Sequence, residues 1–134
     1  MKVLVIDDSR AIVNITEMIL TDLGHNVMAA FDGIEGMRLF DNHDFDLVIT
    51  DLDMPGINGN EVAFRIRASG RPYIPIIGIS GNISHFEINR FDMIIQKPFT
   101  IKTLVDSIPR LPVSNFVYRM DEVSPGNTSW QSRV

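Results

Sequence analysis

Three carboxylates, one hydroxyl and one ammonium stand at corresponding places in this chain: Asp7 with Asp8, Asp51, Ser80 and Lys97 each close a short apolar run. A single Asp after such a run more often starts a turn than does chemistry. Five such groups at matching places make a stronger case. Acids brought into one site repel one another and stay ionised together only with a cation among them. Oxygen donors with no Cys or His in the set suit Mg²⁺, which takes near-octahedral oxygen ligands and keeps several waters. A Lys and a Ser beside a divalent ion equip a site for a phosphoryl group, whose oxygens need charge neutralisation and hydrogen-bond donors as it transfers.

The elements that must position these groups are legible in the hydrophobic pattern. Lys2–Ile6, Leu47–Thr50, Ile74–Ile79 and Met93–Ile95 are short continuous apolar runs, the signature of strands buried on both faces, and Asn26–Ala30 is a weaker one. Pro75 places the entry to its strand close to that residue, because it lacks a ladder donor. Between the runs lie helical spacings. Ile12, Ile15, Ile19 and Leu23 form one stripe that stops at Gly24; Ile34, Met37 and Phe40 follow a cap at Asp32 with Glu35. Val62, Ala63 and Ile66 follow Asn58 with Glu61, while Ile101, Leu104, Val105 and Ile108 follow Thr100 and stop at Pro109. Residues 84–90 have room for two helical turns at most. Strands alternating with helices predict an α/β fold, a doubly wound parallel sheet with helices on both faces and right-handed crossovers. Such a sheet points all its carboxyl ends to one edge, where ligands bind, so the five groups are expected to converge there.

Composition bounds the rest. The chain has 134 residues, of which 45% are hydrophobic and 22% charged, values of a globular domain with one core. Absence of Cys excludes disulfides and thiolate metal sites. The formal charge is −5; three Arg against Asp121 and Glu122 make the segment after Pro109 +1, which leaves −6 on residues 1–108. That balance argues against a nucleic-acid surface and fits a site that attracts a cation. With no 18-residue apolar run and no basic leader, the expectation is a soluble, cytoplasmic chain without a membrane partner. Past Pro109 the pattern breaks. The alternation of Phe116, Tyr118 and Met120 suits an added strand or a partner-binding segment, but a loosely ordered tail is the expectation for residues 109–134, with residues 1–108 as the domain. His25, His43 and His85 fall in loops or at helix edges and are assigned no role, and Trp130 sits in a polar tail.

Residues 1–108 resemble the receiver domains of two-component response regulators. The resemblance rests on the acidic pair Asp7-Asp8, on D-L-D-M-P-G-I-N-G from Asp51 to Gly59, on Ser80 after a strand and on Lys97-Pro98-Phe99, in that order. It implies a flavodoxin-like, five-stranded sheet of order 2-1-3-4-5, with Asp51 phosphorylated by a histidine kinase or a phosphotransfer protein. It further implies that Asp8, Asp51 and the backbone carbonyl of Asp53 ligate Mg²⁺, with Asp7 acting on the metal directly or through water. Lys97 would pair with Asp51 and then with the phosphoryl group, to which Ser80 would turn its hydroxyl. The expected role is a phosphorylation-controlled interaction module that acts on an unidentified downstream protein, by homodimerisation or by recruiting a different chain, and is not an enzyme with substrate turnover.

Two departures from the family pattern stand out. Ile94 occupies the position, three before the Lys, where receivers commonly carry Tyr or Phe, so no aromatic ring can swing there. Ser80 and Lys97 are 17 positions apart, roughly a helical turn less than usual, which predicts a short fourth helix. Two competing readings remain. Asp51-Leu52-Asp53 after a strand also suits a haloacid-dehalogenase-like phosphatase with Asp51 as nucleophile, although that family places this motif on its first strand and its acidic metal pair late in the chain. A receiver that cannot be phosphorylated and only docks is the other; the complete set of acids, Ser and Lys argues against it.

Overall fold

The computed structural model describes residues 1–82, 90–108, 116–119 and 130–132. Five strands, β1 (Lys2–Ile6), β2 (Asn26–Ala30), β3 (Leu47–Asp51), β4 (Ile76–Ser80) and β5 (Met93–Gln96), lie parallel in the order 2-1-3-4-5. Every residue of β3 and β4 is buried, which is why those strands read as unbroken apolar runs with no polar alternation. Two short strands extend the sheet past β5. β6 (Phe116–Arg119) pairs parallel with β5 and β7 (Trp130–Ser132) pairs antiparallel with β6, so the described parts of the C-terminal extension are added strands. The expected short fourth helix at residues 84–90 lies outside the described residues, apart from Arg90.

Among the described residues four helices cover the sheet: α1 (Arg10–Asp22), α2 (Gly33–Asn42), α3 (Gly59–Arg67) and α4 (Ile101–Ser107). Each begins at a side-chain cap that satisfies an otherwise orphaned N–H. Ser9 Oγ accepts from Ile12 N at 3.4 Å, Asp32 Oδ1 from Glu35 N at 2.7 Å, Asn58 Oδ1 from Glu61 N at 3.0 Å and Thr100 Oγ1 from Thr103 N at 3.1 Å. The last three match the predicted cap residues. α1 ends where Gly24 takes φ +91°, a left-handed conformation that costs a side-chain-bearing residue energy.

Two cores result, one on each face. Alternate residues Leu4, Ile6, Val48 and Ile76 pack under α2 and α3 with Met37, Phe40, Val62 and Ile66. Val3, Val5, Leu47, Ile49, Ile77, Ile79, Met93 and Ile95 pack under α1 and α4 with Val13, Leu20, Leu104 and Ile108.

The helix phases differ from expectation in two places. α1 buries Val13, Thr16 and Leu20, while Ile15 and Leu23, expected inside, are exposed. Apolar residues occur all round this helix, so spacing by threes and fours fits either stripe. Docking on the sheet selects the stripe that carries Val13, Thr16 and Leu20. Ile34 on α2 is likewise exposed, at 68%, because the core side of that helix's first turn is taken by Gly33 and Gly36, which lie close against Ile57 and Ile6. No helix among the described residues is long and apolar enough to cross a membrane.

Candidate functional site at the carboxyl edge of the sheet

Because the five central strands are parallel, β1, β3, β4 and β5 deliver their last residues to one edge. Asp7 follows β1, Asp51 ends β3, Ser80 ends β4 and Lys97 follows β5. One carboxylate oxygen each from Asp7, Asp8 and Asp51 lies within 4.8 Å of the others. Asp7 and Asp51 are buried, at 3% and 2% exposure, whereas Asp8 faces solvent. The Lys97 ammonium reaches in from the end of β5, across the end of β4, with Nζ 3.2 Å from Asp51 Oδ1.

The electrostatics follow from that crowding. Burial pushes the Asp7 carboxyl up to about 6; the Ser9 N–H, donating to Asp7 Oδ1 at 2.9 Å, opposes this, and the Asp51 charge adds to the rise. Among the described residues, three acids paired with the single Lys97 ammonium are short of positive charge. Its donors are all hard oxygens, two are buried and one is open to solvent, which is the ligand chemistry and partial access a Mg²⁺ ion with retained waters requires. The residues fit the ion. Asp7, Asp8 and Asp51 are the carboxylates that would hold it.

Asp51 is fixed by more than its ion pair. Thr50 Oγ1 donates to the Asp51 carbonyl at 3.0 Å, and the Asp53 N–H donates to Asp51 Oδ1 at 3.3 Å. Gly59, the first residue of α3, packs against the end of β3 so closely that an added Cβ would lie 2.5 Å from the Asp51 carbonyl oxygen. That approach docks the loop 52–58 back onto the strand and holds Asp51 at the edge.

Ser80 is placed differently. It is fully buried at the end of β4, but its hydroxyl lies 3.0 Å from Asp53 Oδ2 and 3.1 Å from the Asn82 carbonyl, and it accepts from Asn82 N at 3.0 Å. Asp53 Oδ2 also accepts from Gly81 N at 3.3 Å. The resemblance implies a metal-ligating backbone carbonyl for Asp53 and, with Asn82, a position that tunes phosphoryl lifetime; the structure adds that the Asp53 side chain bonds the Ser80 hydroxyl and the Gly81 amide. The D-x-D spacing was its one signal in the sequence. Ile94 is half-buried opposite Gly78 in the β4–β5 register, in the core under α2 and α3, and the nearby aromatic ring is Phe91, buried against Gly78.

The alternative of a dehalogenase-like phosphatase does not agree with this arrangement. Asp51 ends the third strand in chain order, and the acidic pair follows the first.

Comparison with known proteins identifies the family. The response regulator receiver domain family matches residues 3–109. Chemotaxis protein CheY-3 of Vibrio cholerae is 31% identical over 118 residues, covering 83% of this chain and 91% of the relative. The autoinducer sensor kinase/phosphatase CqsS of the same species is 38% identical over 85 residues, which are 62% of this chain and 12% of that protein. Among solved structures, chemotaxis protein CheY4 of Vibrio cholerae superposes with a TM-score of 0.76 at 28% identity, covering 83% of this chain and 98% of that one. The response regulator TrrA of Thermotoga maritima, solved in complex with Mg²⁺-BeF, gives 0.75 at 30% identity with the same coverage. With the match running over nearly the whole of the parallel sheet and its acidic edge, the chain belongs to the response regulator receiver domain family of two-component signalling.

Proposed function

We propose that Asp51 is the phospho-acceptor of this receiver, with Lys97 and Ser80 as the groups that answer the phosphoryl charge and Asp7, Asp8, Asp51 and the Asp53 carbonyl as the Mg²⁺ ligands. The observation that carries the reading is Asp51 itself: a buried carboxylate at the sheet edge, within 4.8 Å of two further acids and 3.2 Å from an ammonium.

The residues divide the work. An Asp51 carboxylate oxygen attacks phosphorus; the new O–P bond forms as the P–N bond of the donor's phosphohistidine breaks, and the electron pair returns to the imidazole nitrogen of that donor. Mg²⁺, when bound, supplies positive charge against that building on the phosphoryl oxygens. Lys97 stays beside Asp51 and neutralises one of those oxygens from the β5 side. Burial of Asp51 and Ser80 keeps bulk water from the acyl phosphate on that side. The donor is a cytoplasmic histidine kinase or phosphotransfer protein, and the acquired charge is read by a downstream protein or a second copy of the chain, with residues 109–134 contributing to that surface. Mg²⁺-dependent labelling by a small phosphodonor such as phosphoramidate, followed by intact mass, tests the assignment. A single phosphoryl adduct that disappears in Asp51→Asn is expected; undiminished adduct in that variant, or sustained turnover of a phosphomonoester by the wild type, would overturn it.

A further inference from the structure

The side chain of Asp53 has no part in the phosphorylation chemistry just described, yet it holds the donors at the end of β4. Its Oδ2 is 3.0 Å from Ser80 Oγ and 3.3 Å from Gly81 N, while its own N–H donates to Asp51 Oδ1 at 3.3 Å. A Ser hydroxyl has one proton to give. Here the acceptors within reach are the Asp53 carboxylate and the neutral Asn82 carbonyl, at 3.1 Å, and the charged acceptor makes the stronger bond.

Resting on the reading of Asp51 as phospho-acceptor, we propose that the Asp53 carboxylate is a latch on the unphosphorylated state, binding the Ser80 hydroxyl and the Gly81 amide that a phosphoryl group on Asp51 must take over. Two anions compete for one pair of donors. A phosphoryl group on Asp51 adds negative charge within a residue or two of Asp53, so the two cannot share the pair without repulsion. Asp53 is exposed, so its released carboxylate has water to turn to, whereas Ser80 is fully buried and must donate within the protein. Phosphorylation therefore exchanges one acceptor for another on a donor pair already formed. Ile94 cannot supply the swinging ring that accompanies the hydroxyl in many receivers, so no ring at that position assists the exchange.

A latch of this kind withholds the binding-competent state and weakens the apparent affinity for anything that needs it. The test is beryllofluoride binding in saturating Mg²⁺, a phosphoryl mimic that forms no lasting covalent product, on the full chain. Asp53→Ala should tighten it by roughly tenfold. Asp53→Asn, which keeps a neutral acceptor, should fall between. In a Ser80→Ala background the gain from Asp53→Ala should largely vanish, since a latch needs both partners; simple charge repulsion would persist unchanged. Independently of any ligand, Asp53→Ala should shift the Gly81 amide resonance and speed its hydrogen exchange in the metal-free chain. Normal wild-type binding with no tightening in Asp53→Ala, or equal tightening with and without the Ser80 hydroxyl, overturns the latch alone. Failure of the wild type to bind beryllofluoride at all overturns the assignment of Asp51, and the latch with it.

Discussion

Lys97 Nζ and Asp51 Oδ1 face each other at 3.2 Å across the ends of two strands that are not neighbours, since β4 lies between β3 and β5. The Asp51 side chain is 1% exposed and that of Lys97 28%. The ammonium thus sets a positive charge directly against the buried member of three clustered acids. Replacing Lys97 with Met keeps the stem and removes the charge. The metal-free variant should lose about 1–3 kcal/mol of unfolding free energy, as expected when a buried charged acceptor loses its partner. Saturating Mg²⁺ should recover part of that loss, and labelling by a small phosphodonor should slow by roughly a hundredfold. Urea unfolding with and without Mg²⁺, together with time-resolved intact mass, measures both.

Asp7 gives a pH dependence of definite sign. Its carboxyl titrates near 6 in the folded chain against 3.8 for an ordinary Asp, so between those values the folded state holds the extra proton. Stability contributed by this group is therefore present below about 3.8 and is lost as pH rises through 6, the reverse of an ion-paired carboxylate. The shift corresponds to about 3 kcal/mol at most. Asp7→Asn should raise the unfolding free energy of the metal-free chain at pH 7.5 and change it little at pH 4. Mg²⁺ affinity should run oppositely, weakening below pH 6 as the proton competes with the ion. Denaturation series and metal titrations at several pH values check the two trends.

Gly59→Ala should couple stability to phosphorylation. The new methyl carbon would meet backbone on two sides, at 2.5 Å from the Asp51 carbonyl oxygen and 2.9 Å from the Leu52 Cα, and backbone cannot yield as a side-chain tip can. A loss of about 1–3 kcal/mol is expected, as for other overpacked sites. Asp51 should also lose its fixed place, so phosphodonor labelling falls even where the variant remains folded. Gly36→Ala is the comparison: it presses on the Ile6 side chain of β1 and on no backbone of the Asp51 strand, and should cost stability while reducing labelling less than Gly59→Ala does.

A second ion pair works at the opposite edge of the sheet and predicts the converse separation. Arg67 Nη2 lies 2.8 Å from Asp92 Oδ2, which also accepts from Ile76 N at 2.8 Å, and the same guanidinium donates to the carbonyls of Pro72, Ile74 and Arg90. The cluster ties the end of α3 to the starts of β4 and β5. Asp92→Ala strands both the Arg67 charge and the Ile76 N–H, and should cost about 3 kcal/mol. Asp92→Asn retains an acceptor and should cost less. At temperatures where both variants are folded, labelling of Asp51 should be unchanged, which chemical denaturation and intact mass would show.

The strands, the caps and the gathering of acids at one edge were determined by the sequence by itself. An apolar run of five residues buried on both faces has no other stable reading, and Asp32, Asn58 and Thr100 are chemically suited to the first turn of a helix. Once the strands are parallel, Asp7, Asp8, Asp51, Ser80 and Lys97 must share an edge. The rotation of α1 was not legible, because Ile12, Ile15 and Ile19 compete with Val13, Thr16 and Leu20 at the same spacing, and only docking on the sheet chooses between them. Nor was the place of the strands beyond β5 settled: the alternation of Phe116, Tyr118 and Met120 suits an added strand, a partner-binding segment or a loose tail alike, and pairing with β5 decides for the strand. The Asp53 side chain is the clearest case: its neighbours in sequence point to Asp51, and its hydrogen bonds go to Ser80 and Gly81, 27 and 28 positions away. Local spacing sets what a residue can do, while the partner that claims a charged side chain is decided by which strand ends the sheet brings side by side.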